Sequence, residues 1–288
     1  MKKKTAPKKK SKLYAVWRQL RKNKLAVVAM IVLILLILVA IFGPLIAPYS
    51  YETQNGKESY AKPSAKHLLG CDKLGRDVLS RLIYGSRQSL KMGFVAVAVS
   101  AVIGCIIGAV AGFYGKWVDS LVMRLLDVYQ AIPMMLLCIT LAAILGPSLR
   151  NAIIALGISG VPGYARLMRA SVLTVREKEY VESARAIDLS GPEIIVKHII
   201  PNSMAPIIVS ITMGIGSTIL AGAALSFIGL GAQPPIPEWG YMISDARAVM
   251  TKHPTLAIYP GICIMLTVLS CNLLGDGLRD ALDPRLRN

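Results

Sequence analysis

The chain has 288 residues, of which 54% are hydrophobic and only 17% charged, and its formal net charge is +17. Its apolar residues form long uncharged blocks, which excludes an ordinary water-soluble domain because every face of each block would have to be buried. About 20 apolar residues are enough for a helix to cross a bilayer. The uncharged blocks cover residues 25–51, 92–115, 128–149, 199–237 and 254–275. The sequence therefore predicts an all-α, polytopic membrane protein.

A strongly basic segment precedes the first block. Eleven of the 33 Lys and Arg residues lie between Lys2 and Lys24, and the first acidic residue is Glu52. Before a spanning helix, such an arm is typical of a cytosolic terminus that touches anionic lipid, and nucleic-acid binding is the alternative. We predict a basic cytosolic arm over residues 1–24. The first transmembrane helix follows at 25–47, and it is too long for a cleavable signal peptide.

The next elements alternate between polar and apolar. Residues 48–88 are predicted to form a polar external loop, and they precede a permease-like core over 89–288. Helix two is expected at 89–115 and helix four at 151–175. Helix three is expected between them, at 118–145, with a kink at the proline in its middle.

The last third of the chain contains two more predicted spans. Residues 176–201 are too highly charged to cross a membrane, so they form a loop before helix five at 202–230. A proline-rich external stretch, 233–254, leads to helix six at 255–274. Six spans place both termini on one side. The segments on that side carry about two thirds of the Lys and Arg residues, which predicts that it is the cytosolic side.

Three glycines repeat every four residues in helix two. They are Gly104, Gly108 and Gly112, and at this spacing they share one helix face. Small residues four apart let two helix backbones approach closely in lipid. We therefore predict that this face is a helix-packing surface.

The loop between helices four and five reads as two short helices with a break. The first is expected at 179–189. Ser190 and Glu193 then have the spacing of a capping box that opens the second helix. Such an element either presents a small charged surface to a cytosolic partner or is simply a solvated loop, and the pattern alone leaves both open.

This loop resembles the EAA loop of ABC-importer permeases. Glu182, Ser183 and Ala184 stand at the EAA positions, Asp188 at the following glycine position, and Pro201 at the final proline. In that family the loop is the coupling helix that docks on the ATPase subunit. The resemblance therefore implies ATPase coupling through Glu182, Ser183, Ala184, Arg185, Asp188 and Gly191.

Two departures from the general pattern are informative. Asp188 replaces a glycine whose position favours a left-handed turn, and Asp is among the few other residues that tolerate this conformation. His198, at an isoleucine position, is common in the peptide-importer branch. Residues 67–90, 223–243 and 272–288 likewise resemble signatures of the dipeptide, oligopeptide and nickel permeases.

The resemblance implies a transmembrane subunit of an ABC importer, the second, shorter-loop permease of its pair. It would translocate dipeptides or oligopeptides across a bacterial or archaeal cell membrane by alternating access, and a nickel permease is the alternative. Expected partners are a second homologous permease in a heterodimer, one or two ATPase subunits, an external substrate-binding protein and membrane lipid. The external segments 48–88 and 233–254 either dock the binding protein or form a structural lid. No nucleic acid and no cofactor are expected.

The sequence contains no clear motif by which this chain could itself supply the energy for transport. No GxxxxGK[ST] phosphate loop is present, so ATP hydrolysis is expected in separate subunits. Asp127 directly precedes an apolar block, and at that position an interfacial cap is the alternative to an ion-coupling role. We therefore predict a non-catalytic permease subunit.

An intramembrane serine protease is the alternative from another class. Ser159 lies in a GxSG string, but a serine needs a nearby base to act as a nucleophile. All three histidines lie outside the apolar blocks, and packing of small residues explains the string equally well. The five cysteines form no CxxC pair, so we expect no zinc site or disulfide framework, and Cys71 is predicted to be a lone thiol in the external loop.

Overall fold

The computed structural model describes residues 12–283. The first eleven residues of the predicted basic arm and the last five of the tail lie outside the described residues. The described chain is helical, with only an isolated bridge between Cys71 and Asp77 in place of strands, so the all-α prediction is confirmed. The helices are α1 (Lys12–Leu20), α2 (Lys24–Ile46), α3 (Val78–Tyr114), α4 (Lys116–Gln130), α5 (Met134–Leu145), α6 (Leu149–Val175), α7 (Glu179–Ala186), α8 (Gly191–Ile194), α9 (Ile200–Phe227), α10 (Trp239–Ala246) and α11 (Thr255–Leu282).

Within the described range, four helical stretches are long and apolar enough to cross a membrane: α2, α3, Gly191–Phe227 and α11. A fifth span results if α4 and α5 are counted together as one broken span, bent by 79°. Helix α6 has 27 residues, which is sufficient length, but its arginines and glycines lower its hydropathy. Helix α6 would be the sixth span, and its length, not its hydropathy, supports that assignment.

Three local predictions differ from the structure. Helix α3 begins at Val78, eleven residues earlier than expected, because Asp77 caps it by accepting a hydrogen bond from the backbone N–H of Ser80. Pro133 separates α4 from α5 instead of kinking one helix, since proline lacks the N–H that would continue the ladder. Pro201 lies inside the continuous helical stretch Gly191–Phe227, just after a π-helical turn at Ile195–Ile199, and so does not separate the loop from helix five.

The predicted capping box does not form. Ser190 is the N-cap of α8, but its side chain makes no capping hydrogen bond. The carboxylate of Glu193 instead accepts a hydrogen bond from Lys197, one turn further on, at 2.5 Å. The Glu193 side chain is directed along the helix towards Lys197 and not back to the N-cap, so the reciprocal bond of a capping box is absent.

Helices α3 and α6 are in intimate contact along the glycine face. A Cβ atom added to Gly108 would lie 2.1 Å from the carbonyl oxygen of Ala165. The same addition at Gly104 would meet the Cβ of Tyr164 at 2.7 Å, and at Gly112 it would meet Val172 at 3.0 Å. No side chain fits between the two backbones, so this pair is the close-packed centre of the bundle.

The two ends of the bundle are built differently. At one end, α1, the start of α2 and α11 meet through Leu20, Ala26 and Ala281, and the segment of residues 176–199 packs against α3 and α6. We call that segment the coupling segment. At the other end, residues 47–77 and 228–254 fold over the helices, and we call these two stretches the cap.

Candidate functional site

The turn that ends α7 explains the unusual residue of the coupling segment. Asp188 has φ +57°, so the left-handed conformation predicted for this position is confirmed. The N–H of Asp188 donates to the carbonyl of Arg185 at 3.0 Å, and the N–H of Leu189 donates to the carbonyl of Ala184 at 3.2 Å. This pair of bonds is a Schellman motif with Asp188 at the position that usually holds glycine. The chain can therefore reverse here without a glycine.

One face of the coupling segment is anchored in the core. Val181 and Ala184 of α7 are buried, together with Ile194, Ile195 and Ile199 that follow the turn. Ala184, although it belongs to the EAA pattern, therefore faces the protein's own core and not a free surface. Its small size lets α7 lie close beneath the bundle.

Gly191 also faces inward. A Cβ atom at this position would lie 2.8 Å from the hydroxyl oxygen of Tyr114, in the last turn of α3. Nearby, a guanidinium nitrogen of Arg176 donates to the carbonyl of Gly112 at 2.9 Å. The coupling segment is therefore attached directly to the end of α3, and a displacement of one would displace the other.

The opposite face of the coupling segment is open. Glu182, Ser183, Arg185 and Asp188 are all exposed, and the guanidinium of Arg185 lies over the ring of Phe113 at 5.4 Å. Glu182 and Asp188 have no ion-pair partner among residues 12–283. The structure thus brings these four predicted residues onto one surface and separates them from Ala184 and Gly191.

The same surface includes apolar side chains that the motif did not indicate. Ile187 is 72% exposed, Val196 is 63% exposed and Tyr180 is 41% exposed. A large apolar residue this exposed, surrounded by charges, is typical of a protein contact surface. The sequence carries no signal for this exposure, because Ile187 stands three residues after Ala184 and its spacing predicts a place on the buried stripe.

The cap holds charged groups in its interior. His67 lies between two carboxylates, with Nδ1 2.9 Å from Asp77 and Nε2 3.3 Å from Glu58. Arg76, 3% exposed, donates to Asp72 at 2.6 Å and to Asp245 at 3.2 Å. The Arg76–Asp245 pair joins the two stretches of the cap to each other, and no local pattern in the sequence indicates it.

Neighbouring charges and burial shift several pKa values in the cap. The ammonium of Lys66 lowers the pKa of the Glu58 carboxyl, and Asp245 raises the pKa of Lys73. Burial raises the pKa of Cys71 to about 11. Cys71 is unpaired, as predicted, but it is buried and its thiol is not poised to react.

A cavity of about 710 Å³ lies on the side of the bundle formed by α5, α6, α9 and α11. Its wall is mostly neutral and rich in small and hydroxyl-bearing residues, including Tyr164, Ser210, Gly214, Ser217 and Thr218. Arg279, near one end, is its charged member. A wall of this kind can accept hydrogen-bonding solutes of varied side chain without a strong preference for charge.

Ser159 has no base beside it. Its hydroxyl is buried, and no hydrogen bond of normal geometry reaches it in the described part of the chain. Two of the three histidines, His67 and His253, lie in the cap, and His198 lies in the coupling segment. The arrangement that a serine nucleophile requires is therefore not assembled around Ser159.

Two family models match the chain. The model of the binding-protein-dependent transport system inner membrane component matches residues 104–288, and the N-terminal transmembrane domain of oligopeptide transport permease C matches residues 11–63. Among curated proteins, the dipeptide transport system permease protein DppC of Alkalihalophilus pseudofirmus is 48% identical over 94% of this chain and 90% of its own length. The glutathione transport system permease protein GsiD of Escherichia coli is 46% identical over the same shares.

A solved structure has a similar fold. The MetNI methionine ABC transporter, in an inward-facing conformation, contains a chain that superposes with a TM-score of 0.59 at 18% sequence identity. The match covers 70% of this chain and 96% of that chain. At this identity the likeness concerns the fold alone.

Proposed function

Because this chain belongs to the binding-protein-dependent transport system inner membrane components, we propose that it is the peptide-conducting permease of its importer. It is a transmembrane subunit of an ABC importer and a multi-pass protein of the cell membrane. It works together with ATPase and partner permease subunits, and ATP is hydrolysed in the separate ATPase. The substrate, the particular partners and the coupling residues are the proposed part.

Dipeptides or short oligopeptides are the proposed substrate. The similar proteins are named for dipeptide and glutathione transport, and glutathione is itself a tripeptide. The neutral wall of the 710 Å³ cavity supports this class, because a peptide carrier must accept many side chains. Nickel transport is the alternative. Uptake of labelled dipeptide and of nickel, measured in a strain lacking this chain, distinguishes them: loss of nickel uptake alone would favour the alternative.

The proposed assembly follows the charge distribution. The end that carries the coupling segment and α1 faces the cytosol, and the cap faces outward. The chain pairs with a second, homologous permease, and one or two ATPase subunits dock below. An external binding protein delivers substrate to the cap. The proposed division of the chain is a basic arm over 1–24, a first helix at 25–47, an external loop to 88 and a permease core over 89–288.

The proposed mechanism is alternating access driven through the coupling segment. The observation that supports this mechanism is that the coupling segment has two different faces. One face, around Arg185 and Ile187, is exposed, and the other is buried and packs against α3. When the ATPase subunits close on nucleotide, they would shift the exposed face, and the attached helices would move with it. Transport is then a two-state equilibrium that nucleotide biases.

Reversal of one charge tests the coupling surface. Arg185→Glu should reduce dipeptide uptake at least tenfold in proteoliposomes that contain the complete importer, while membrane insertion and basal ATP hydrolysis persist. Arg185→Lys, which keeps the charge, is the matched control and should retain most of the uptake. Normal uptake by the Arg185→Glu variant would count against this surface. Labelling of a cysteine near position 185 from outside the cell would overturn the proposed orientation.

A further inference from the structure

The broken span contains an unexplained polar site. Between the end of α4 and the start of α5 the chain is not helical, and this break borders a cavity of about 540 Å³ shared with α6. The cavity touches the larger neutral one, since Met134, Gly160 and Gly163 line both. Non-helical backbone at membrane depth is tolerated where it lines a cavity, and broken helices often form the binding sites of transporters.

The depth of this cavity suits a site within the membrane. Along α6, Ser159 lies about 15 Å from Leu149 and Arg166 about 26 Å from it, at 1.5 Å per residue. The helix as a whole is long enough for the roughly 30 Å hydrocarbon layer. On this scale Ser159 lies near the middle of the span, and Arg166 lies towards the end that carries the coupling segment.

Two charged side chains face the cavity. Arg166 of α6 donates to Asp127 of α4 at 2.5 Å, and both charged groups are open to the cavity, with side chains 45% and 65% exposed. Ser159, which is 7% exposed, and Tyr129 also line the cavity, but their hydroxyl oxygens are buried and lie beside each other. The charged pair is therefore the part of the wall that a ligand can reach.

We propose that this cavity binds the charged ends of a short peptide during translocation, with Arg166 holding the carboxylate and Asp127 holding the ammonium. An exposed ion pair contributes little by itself, so the two side chains can exchange each other for the two ends of a zwitterion at low cost. Guanidinium and carboxylate form paired hydrogen bonds. The inference rests on the proposed peptide transport and goes beyond it by naming the contacts.

The recognition should depend on the ends of the peptide and not on its side chains. A dipeptide in extended form is about 7 Å long. A cavity of about 540 Å³ has room for a small peptide within the usual range of ligand sites. Selection by free termini is the chemistry that a carrier of varied short peptides needs, because the termini are what all of its substrates share.

The chain offers a matched control for this site. Asp119 of α4 pairs with Arg169 of α6, so the same two helices carry a second Asp–Arg pair that is not part of the cavity wall. Asp119→Asn removes one charge from α4, as Asp127→Asn does. If only Asp127→Asn changes peptide binding, the change is due to the cavity and not to the loss of a charge from α4.

The test measures binding of three labelled probes to the complete transporter in nanodiscs without nucleotide or binding protein. The probes are L-alanyl-L-alanine, its N-acetyl derivative and its C-terminal amide. The wild type should bind the free dipeptide at least tenfold more tightly than either capped form. Arg166→Gln should abolish discrimination against the amide, and Asp127→Asn should abolish discrimination against the acetyl form. Asp119→Asn should retain both preferences.

Several outcomes would overturn the proposal. Undetectable binding by the wild type, equal binding of the three probes, or an equal loss for all probes in Arg166→Gln and Asp127→Asn would each do so. Ser159→Ala removes a buried hydroxyl beside the cavity and should keep the preference for free ends. Uptake by the intact importer is measured in parallel. Absence of peptide uptake there contradicts the proposed function, whereas uptake without end discrimination contradicts only this site.

Discussion

The cap and the coupling segment use charge in opposite ways. In the cap, Arg76 and Asp77 are 3% and 4% exposed, and their partners lie within the same module. In the coupling segment, Glu182, Arg185 and Asp188 are exposed, and the described chain provides no ion-pair partner for the two acids. Charges that a fold needs for itself are buried and paired. Charges left open are available to another subunit.

The two regions also differ in the sequence separation of the residues that hold them in place. The ion pair between Arg76 and Asp245 joins residues 169 positions apart, and α10 nests so closely on α9 that a Cβ at Gly240 would meet the backbone of Ala223 at 2.4 Å. The coupling segment contacts the bundle on its inner side only, mainly through apolar residues. We therefore expect substitutions in the cap to affect stability and substitutions on the open face to affect transport.

The largest effect should come from the cap. Asp77→Ala removes the N-cap of α3 and leaves His67 without its closer carboxylate in a buried position. Breaking one partner of a buried charged network typically costs about 3–5 kcal/mol. The midpoint of thermal unfolding of the purified protein should fall accordingly.

Glu182→Ala is the comparison variant for that measurement. It also removes one carboxylate, but from the open face, where surface changes stay within about 0.5 kcal/mol. Equal destabilisation by both variants would break the distinction between the two regions.

The next effect concerns the helix pair that connects the regions. Gly108→Ala would force a Cβ against the backbone of α6, and overpacking of this kind costs about 1–3 kcal/mol. Gly163→Ala, on α6 itself, meets no atom within 4 Å and should be neutral or slightly stabilising. Thermal unfolding of the two variants checks this, and an unchanged midpoint for Gly108→Ala would refute the close contact.

A charge on the apolar part of the open face should affect transport without affecting stability. Ile187→Asp places a carboxylate where the ATPase is proposed to dock, and we expect at least a tenfold loss of dipeptide uptake, about 1.4 kcal/mol of coupling. Ile187→Val should transport normally. If Ile187→Asp instead lowers the unfolding midpoint and leaves uptake intact, Ile187 is part of the core and not of a contact surface.

A smaller effect is expected at the turn. Asp188→Gly places the residue with the greatest freedom at a left-handed position, and we expect stability to change by at most about 1 kcal/mol, in the favourable direction. Asp188→Ala should be destabilising by about 1 kcal/mol, because alanine lacks the tolerance that Asp has for this conformation. The opposite order of the two variants would contradict the Schellman turn.

The smallest expected effect concerns the reactivity of the Cys71 thiol. Cys71 has a pKa of about 11, so at pH 8 only about one thiol in a thousand is ionised, and the side chain is buried. A maleimide reagent should therefore leave Cys71 unlabelled in the folded protein at pH 8 and label it after denaturation. Rapid labelling of the native protein would show that the cap opens.

The features that sequence alone could predict are those with a local cause. The blocks without charge located α2, α3, α9 and α11, and the left-handed turn at Asp188 followed from the backbone preferences of aspartate. The buried network of the cap could not be found in this way. Its partners are brought together by the fold, as Arg76 and Asp245 are, and neither residue carries a signal for the other.

The candidate site was predictable only in part, for a related reason. The EAA pattern identified the surface that holds Glu182 and Arg185, but a motif does not say which of its members turn inward, as Ala184 does. The polar residues at the start of α3, such as Arg81, predict a loop from sequence. These turns are helical because Asp77 caps them and because Arg81 is buried against the cap, which is a tertiary effect.

Helix α3 is a single element of 37 residues that begins in the cap, at its Asp77 N-cap, and ends beside the coupling segment. At 1.5 Å per residue it is about 55 Å long, nearly twice the thickness of the hydrocarbon layer. Helix α6 packs along its second half, at Gly104, Gly108 and Gly112. One uninterrupted helix therefore connects the coupling segment with the cap, and under the proposed mechanism a displacement at one membrane face reaches the other without passing through a flexible connection.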